Sequence, residues 1–503
     1  MRRYFAALTA AALMTACSTG TQPAGGGAGL AGEVTQAAVQ AYLDSYDREY
    51  QRLYKASSEA QWASNTRIVE GDSTNAVRTR AADEALNAFV GSTQNITTIR
   101  TFLRAESVIT PLQKRQLEAM LYNAGTGPQI VADVVKRRIA ADAAQTEALY
   151  GYTFTVGGKP VTPNQIDSVL RNSSSLADRR AYWESSKAIG ATLKPGIVNL
   201  RSLRNQTVQA LGYPDFFTYQ VSDYGMTADE MLRIPDLINR ELRPLYRELH
   251  TWARYELAKK YNQPVPALIP ADWLPNRWAQ DWSPLVSVEG LNLDQAFRGK
   301  TADWIVRQGE EFYKSLGFAA LPQSFWDKSS LYPLPPGSPF KKNTHASAWH
   351  MDLEHDVRTL MSVEPNADWY GTSHHELGHI YYYIAYTNPN VPLVLRGGAN
   401  RAYHEGIGTL MELASGQRRF LANRGLIPQA VAPDSIQSLL KEALQYVVFM
   451  PFSTGTMTRF EHELYAKNLP ADQFNAKWWE LAARYQGIAP PAPRGEQFAD
   501  ALT

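Results

Sequence analysis

Apolar residues return every three or four positions across VTQAAVQAYLDSYDREYQRLYKASSEAQWAS, with polar residues between them. That period matches one face of an α-helix, which turns once in about 3.6 residues. Each such segment must bury its apolar stripe against another element. The style recurs in PLQKRQLEAMLYNA and QIVADVVKRRIAADAAQTEALYGY. The chain is therefore constrained to a predominantly all-α fold with a few short β strands. A hairpin is predicted at YTFTVGGKPVT, turning at Gly157 and Gly158. Thr162, Pro163 and Gln165 form a helix start of the capping-box type, and Thr227 with Glu230 forms a second. The second opens a helical stretch to about Tyr261, with interruptions expected at Pro235 and Pro244. Residues 263–300 are richer in Pro and Trp and are expected as loops and short helices. A helix follows near Ala302 to Leu316, a loop at Pro333 to Pro339, and a strand within THASAWHM. Helices are expected to resume near Thr372, Ala402, Ile436 and Asn475.

Hydrophobic residues make up 44% of the chain and charged residues 20%, the balance of a folded protein rather than a disordered one. A formal net charge of +1 gives no basic field for a nucleic-acid partner. No solenoid repeat, glycine-rich phosphate loop or GxSxG serine elbow is present. The single cysteine, Cys17, excludes an intrachain disulfide. It follows MRRYFAALTAAALMTA, a short basic start and an apolar run too short to span a bilayer. This reads as a signal peptide over 1–16, with Leu13 to Cys17 resembling a bacterial lipobox. Lipidation is expected at Cys17, with 17–32 as a Gly- and Ala-rich tether and 33–503 as the helical domain. Ser18 after the cysteine fits an outer-membrane destination, lipid-anchored at the periplasmic face. A periplasmic or secreted protein is the alternative. No heptad run indicates a coiled-coil dimer, so the oligomeric state stays open.

Seven of the nine histidines lie between His345 and His404. Within that span, His375-Glu376-Leu377-Gly378-His379 has HExxH spacing. Residues i and i+4 share a helix face, so His375 and His379 can offer two ring nitrogens to one zinc ion. Glu376 lies beside them as a general base rather than as a ligand. A catalytic zinc takes a third protein ligand and keeps a position open. The spacing HExxHxxGxxH is absent, so that ligand must come from elsewhere. The segment GGANRAYHEGIGTLMELAS offers His404 and Glu405, with Glu405 the better placed and His404 an alternative.

The runs WAQDWS, SFWDKSSLY, THASAW, SHHELGHIYY, LRGGANRAYHEGIG, MPFS and WWELAARYQGIAPPAPR carry a more specific likeness. Together they resemble the peptidyl-dipeptidase A family, the group that includes angiotensin-converting enzyme. The resemblance implies two helical lobes around a deep central cleft. One zinc ion would sit in that cleft, and dipeptides would be removed from the C-terminus of oligopeptides. By the same resemblance, His375, His379 and Glu405 are the zinc ligands and Glu376 the general base. His345 would hydrogen-bond a substrate carbonyl. Ala346 to Ala348 would form an edge that pairs with the substrate backbone. Gln280 would help hold the terminal carboxylate.

The chain departs from the family pattern at several points. It stops at Thr503, before a segment expected to carry a histidine, a lysine and two tyrosines, and is expected to be C-terminally incomplete. Thr409 stands where the family often has an aspartate that orients a zinc histidine, with Glu412 a candidate replacement. Ala482 replaces a chloride-binding arginine, so chloride dependence is not implied, and Thr344 replaces the first cysteine of the disulfide that brackets HASAW in animal members. A non-catalytic peptide-binding lipoprotein and a zinc endopeptidase of the HExxH class are the competing readings.

Overall fold

The computed structural model describes residues 33–289, 292–429 and 434–503. The signal peptide, Cys17 and the tether lie outside the described residues. The fold is mostly helical, with three two-stranded sheets among the described residues. No described helix is long and apolar enough to cross a membrane.

Local chemistry accounts for the element boundaries. Thr35 opens helix Gln36–Thr66 by accepting from the Ala38 N–H. Capping boxes form at Thr162 with Gln165 and at Thr227 with Glu230, as the spacing predicts. A third, Thr110 with Gln113, opens helix Pro111–Ala124. Strands Phe154–Val156 and Lys159–Val161 pair as the expected hairpin. Gly157 and Gly158 take φ of 58° and 75°, which side-chain-bearing residues resist.

Two expectations need correction. Helix Ala228–Tyr261 runs through Pro235 and Pro244 without a break. An interior proline costs about 3 kcal/mol. This helix buries Tyr246, Leu249, Ala253, Leu257 and Tyr261 in one core cluster, and each large apolar side chain returns roughly 1.5–3 kcal/mol. Packing wins over propensity. The helix carrying the HExxH spacing spans Ala367–Tyr386 and starts well before Thr372, because Asn366 accepts from the Trp369 N–H at 2.9 Å.

Helix Ala367–Tyr386 is held on its apolar side by Leu377, Ile380 and Tyr381. These pack with Ile305, Phe312 and Tyr313 of helix Ala302–Ser315 and with Val357 and Met361. On its other side it crosses helix Arg401–Ser415 at two glycines. A Cβ on Gly378 would lie 3.0 Å from the Gly408 Cα, and a Cβ on Gly408 would lie 2.8 Å from the His375 Nε2. Only a bare backbone permits this approach. Strand Ser347–His350 pairs antiparallel with Val357–Leu360. Arg358 ties that sheet to helix Gln36–Thr66 through Glu59 and is braced by Asp356.

The histidine cluster is not all of one kind. His374 is fully buried against the Phe312 and Tyr370 rings, and its Nδ1–H donates to the Tyr370 carbonyl at 2.6 Å. Burial holds it neutral, with its pKa down to about 4.

This packing generates two testable outcomes. Gly408→Ala should cost about 1–3 kcal/mol through overpacking and displace the His375 ring, read as a lower melting temperature together with weaker zinc binding. For His374, the unfolded imidazole takes a proton near 6.5 while the folded one resists it to about 4. Its contribution, roughly 3 kcal/mol, is therefore complete above 6.5 and lost as pH falls toward 4. His374→Gln should flatten the dependence of melting temperature on pH across that window.

Candidate metal centre

The two crossing helices bring three polar side chains to one point. His375 and His379, one turn apart, direct Nε2 toward the Glu405 Oε2 at 3.3 and 3.9 Å. One ligand atom from each of the three residues lies within 4.8 Å of the others. His404 goes elsewhere, so the structure brings Glu405 rather than its neighbour to the two imidazoles. Two imidazole nitrogens and one carboxylate oxygen form a donor set that suits zinc. The site passes a further test of fit. The Glu376 carboxylate is buried beside the cluster, and its Oε2 has no hydrogen-bond partner among the described residues. An orphaned acceptor of this kind calls for a water or substrate proton.

Each imidazole has a different partner on its far side. The His379 Nδ1 lies 3.2 Å from the His404 Nδ1, and the His404 Nε2 lies 3.2 Å from the Tyr386 hydroxyl. A metal on the His379 Nε2 requires a proton on Nδ1, which then donates to His404. The His404 Nε2–H in turn donates to Tyr386. The His375 Nδ1 instead faces the Glu412 Oε2 at 3.6 Å, an ion-pair distance. Thr409 is exposed, and its hydroxyl bonds neither imidazole among the described residues.

The electrostatics follow from this arrangement. Burial pushes the Glu376 carboxyl up to about 7, helped by Glu405 and Glu412 and opposed by His375. Burial and the neighbouring His375 hold His379 down to about 4, the neutral form that a ligand needs. Burial also acts to lower His375, but the Glu405 and Glu412 carboxylates outweigh it and raise the group to about 10. The Glu405 carboxyl is held low, first by His375. Two carboxylates this close to one imidazole make a negative field that also favours a metal cation.

The remaining sequence candidates are not among the three clustered side chains. In the Ser347–His350 sheet, Met351 N–H donates to the Asp356 carbonyl, while the Thr359 carbonyl turns away to Ser330. Antiparallel alternation then points the backbone groups of Ala346 and Ala348 away from the partner strand. Their carbonyls accept from the His345 Nδ1–H at 2.7 Å and the Tyr383 hydroxyl at 3.2 Å. His345 is exposed, and its Nε2 has no partner among the described residues. Gln280 lies in the irregular stretch after Ala271–Trp273, half-buried, with no hydrogen bond to its amide among the described residues. Ala482 is fully buried in an apolar cluster with Tyr246 and Trp282.

Tyr383 and Tyr386 escaped the sequence reading, although a signal was there. They stand four and seven positions after His379 and so share its helix face. With Ala348, Trp349, His404 and Tyr54 they line a cavity of about 380 Å³ beside the site.

A family model described as angiotensin-converting enzyme, peptidase family M2, matches residues 33–503. The chain is 26% identical over 501 residues to the angiotensin-converting enzyme of Theromyzon tessulatum, covering 93% of this chain and 77% of that protein. It is 26% identical over 489 residues to that of Rattus norvegicus, covering 92% of this chain and 36% of the relative. It is 32% identical over 354 residues to that of Bos taurus, covering 67% of this chain and 26% of the relative. The chain thus spans well under two thirds of the rat and cattle proteins. The family match runs through the whole helical domain, and the chain belongs to the angiotensin-converting enzyme family.

Proposed function

We propose that the chain is a zinc-dependent peptidyl-dipeptidase that releases dipeptides from the C-terminus of oligopeptides. The observation that carries the hydrolytic part is the buried, unpartnered Glu376 oxygen beside the convergent His375, His379 and Glu405. Zinc held by these three side chains would supply Lewis acidity toward the peptide carbonyl and its attacking water. Glu376 accepts the proton of that water and passes a proton to the leaving amine. Burial raises its carboxyl above the usual carboxylate range, which favours its holding the proton between the two steps. The outward backbone N–H groups of Ala346 and Ala348 give an extended peptide an edge of donors to pair with, while their carbonyls already accept from His345 and Tyr383. His345, its ring fixed by the Ala346 carbonyl, stands at the start of that edge. The dipeptide product length rests on the family resemblance, with Gln280 as the amide for the terminal carboxylate. The N-terminal sequence supports a place at the cell envelope, lipid-anchored through Cys17.

The test is an amino-blocked oligopeptide incubated with the zinc-loaded protein. Products should be C-terminal dipeptides. Glu376→Gln should lower turnover by roughly 10²–10⁴-fold while zinc content stays at one per chain. Cleavage inside peptides with amidated C-termini would assign an endopeptidase instead. Peptide binding without turnover in the unaltered chain would assign a binding protein.

A further inference from the structure

We propose that Glu412 is the positioning carboxylate of the metal centre, holding the His375 ring through Nδ1 so that Nε2 meets the ion. The inference rests on the metal site proposed above. A ligand imidazole uses one nitrogen for the metal and needs an acceptor for the N–H on the other. The His375 Nε2 is turned to Glu405, which leaves Nδ1 to be satisfied. The acid facing Nδ1 is Glu412, at 3.6 Å.

The helix phase explains why Glu412 can reach it. Glu405 and Glu412 are seven residues apart on helix Arg401–Ser415, two turns, and so lie on one face. Thr409, one turn after Glu405, occupies the same face but is exposed and bonds neither imidazole among the described residues. Glu412 is also held from behind. Its Oε1 accepts from the Gln445 Nε2 at 3.1 Å, from helix Ser435–Met450. Space for it comes from Gly371, one turn before His375. A Cβ at that position would lie 3.0 Å from the Glu412 Oε1. Three helices thus converge on one carboxylate, with one oxygen turned to Gln445 and the other to His375. Its chemistry is to fix the ring orientation and to make Nε2 a stronger donor.

Zinc affinity, measured by chelator competition at one fixed pH, tests the assignment. Glu412→Gln should bind zinc 10–100-fold more weakly, whereas Thr409→Ala should leave affinity unchanged. The absorption spectrum of the cobalt(II)-loaded protein should change in Glu412→Gln and not in Thr409→Ala. Gln445→Leu frees Glu412 without touching either imidazole, and should weaken zinc binding in the same direction. It keeps the test open if Glu412→Gln fails to fold. Unaltered affinity and spectrum in both Glu412→Gln and Gln445→Leu would overturn the proposal. A wild-type chain that binds no zinc would overturn the metal site itself.

Discussion

The site depends on two helix backbones touching where neither has a side chain. Gly378 and Gly408 let helices Ala367–Tyr386 and Arg401–Ser415 approach closely enough for one to supply the imidazoles and the other the carboxylate. Glu405 reaches the His375 ring at 3.3 Å only because this crossing is tight. The apolar packing behind it, from Leu377, Ile380 and Tyr381, fixes the rotation of the first helix. Each such buried side chain contributes roughly 1.5–3 kcal/mol, so the orientation is set by packing rather than by the polar groups themselves. A metal site built on two rigid helices gains from this, since its ligands are placed before any ion arrives.

Much of this arrangement was legible in the sequence, because its signals are local. The His375 and His379 spacing states its own geometry once a helix is granted. Thr162 with Gln165 and Thr227 with Glu230 name helix starts through hydrogen bonds made within four residues. Gly157 and Gly158 mark a turn by the backbone angles they alone adopt freely. The choice between His404 and Glu405 was a different matter. Adjacent helical residues point about 100° apart, so either could face the first helix until the phase of the second is known. The crossing at Gly408 sets that phase. The same limit hid the proline tolerance of helix Ala228–Tyr261, where burial across a distant cluster outweighs a local penalty.

The residues proposed to face the peptide show where local reading thins out. Ala346 and Ala348 have side chains too small to announce a role. Their contribution lies in which way the backbone N–H and C=O groups point, and that is set by register with Val357–Leu360. Gln280 is a neutral amide in an irregular segment, and only the family resemblance singled it out. Tyr383 and Tyr386 were readable by helix phase from His379, yet a tyrosine on an apolar helix is most often core. Their hydroxyls instead meet the Ala348 carbonyl and the His404 ring, linking the metal helix to the strand edge.

The imidazoles of His375 and His379 are supported in unlike ways, and the difference has a physical consequence. His379 leans on a neutral chain, His404 and then Tyr386, which orients the ring and adds no net charge. His375 leans on a carboxylate, which orients and also raises the electron density of the ring. Placing carboxylates on both would load the buried pocket with one more negative charge. Glu376 lies beside that pocket, and burial, Glu405 and Glu412 already raise its carboxyl. A further acid there would disfavour the ionised form, which is the one that accepts a proton. A neutral partner on one imidazole and an anionic partner on the other therefore orients both rings with one fewer buried negative charge beside Glu376.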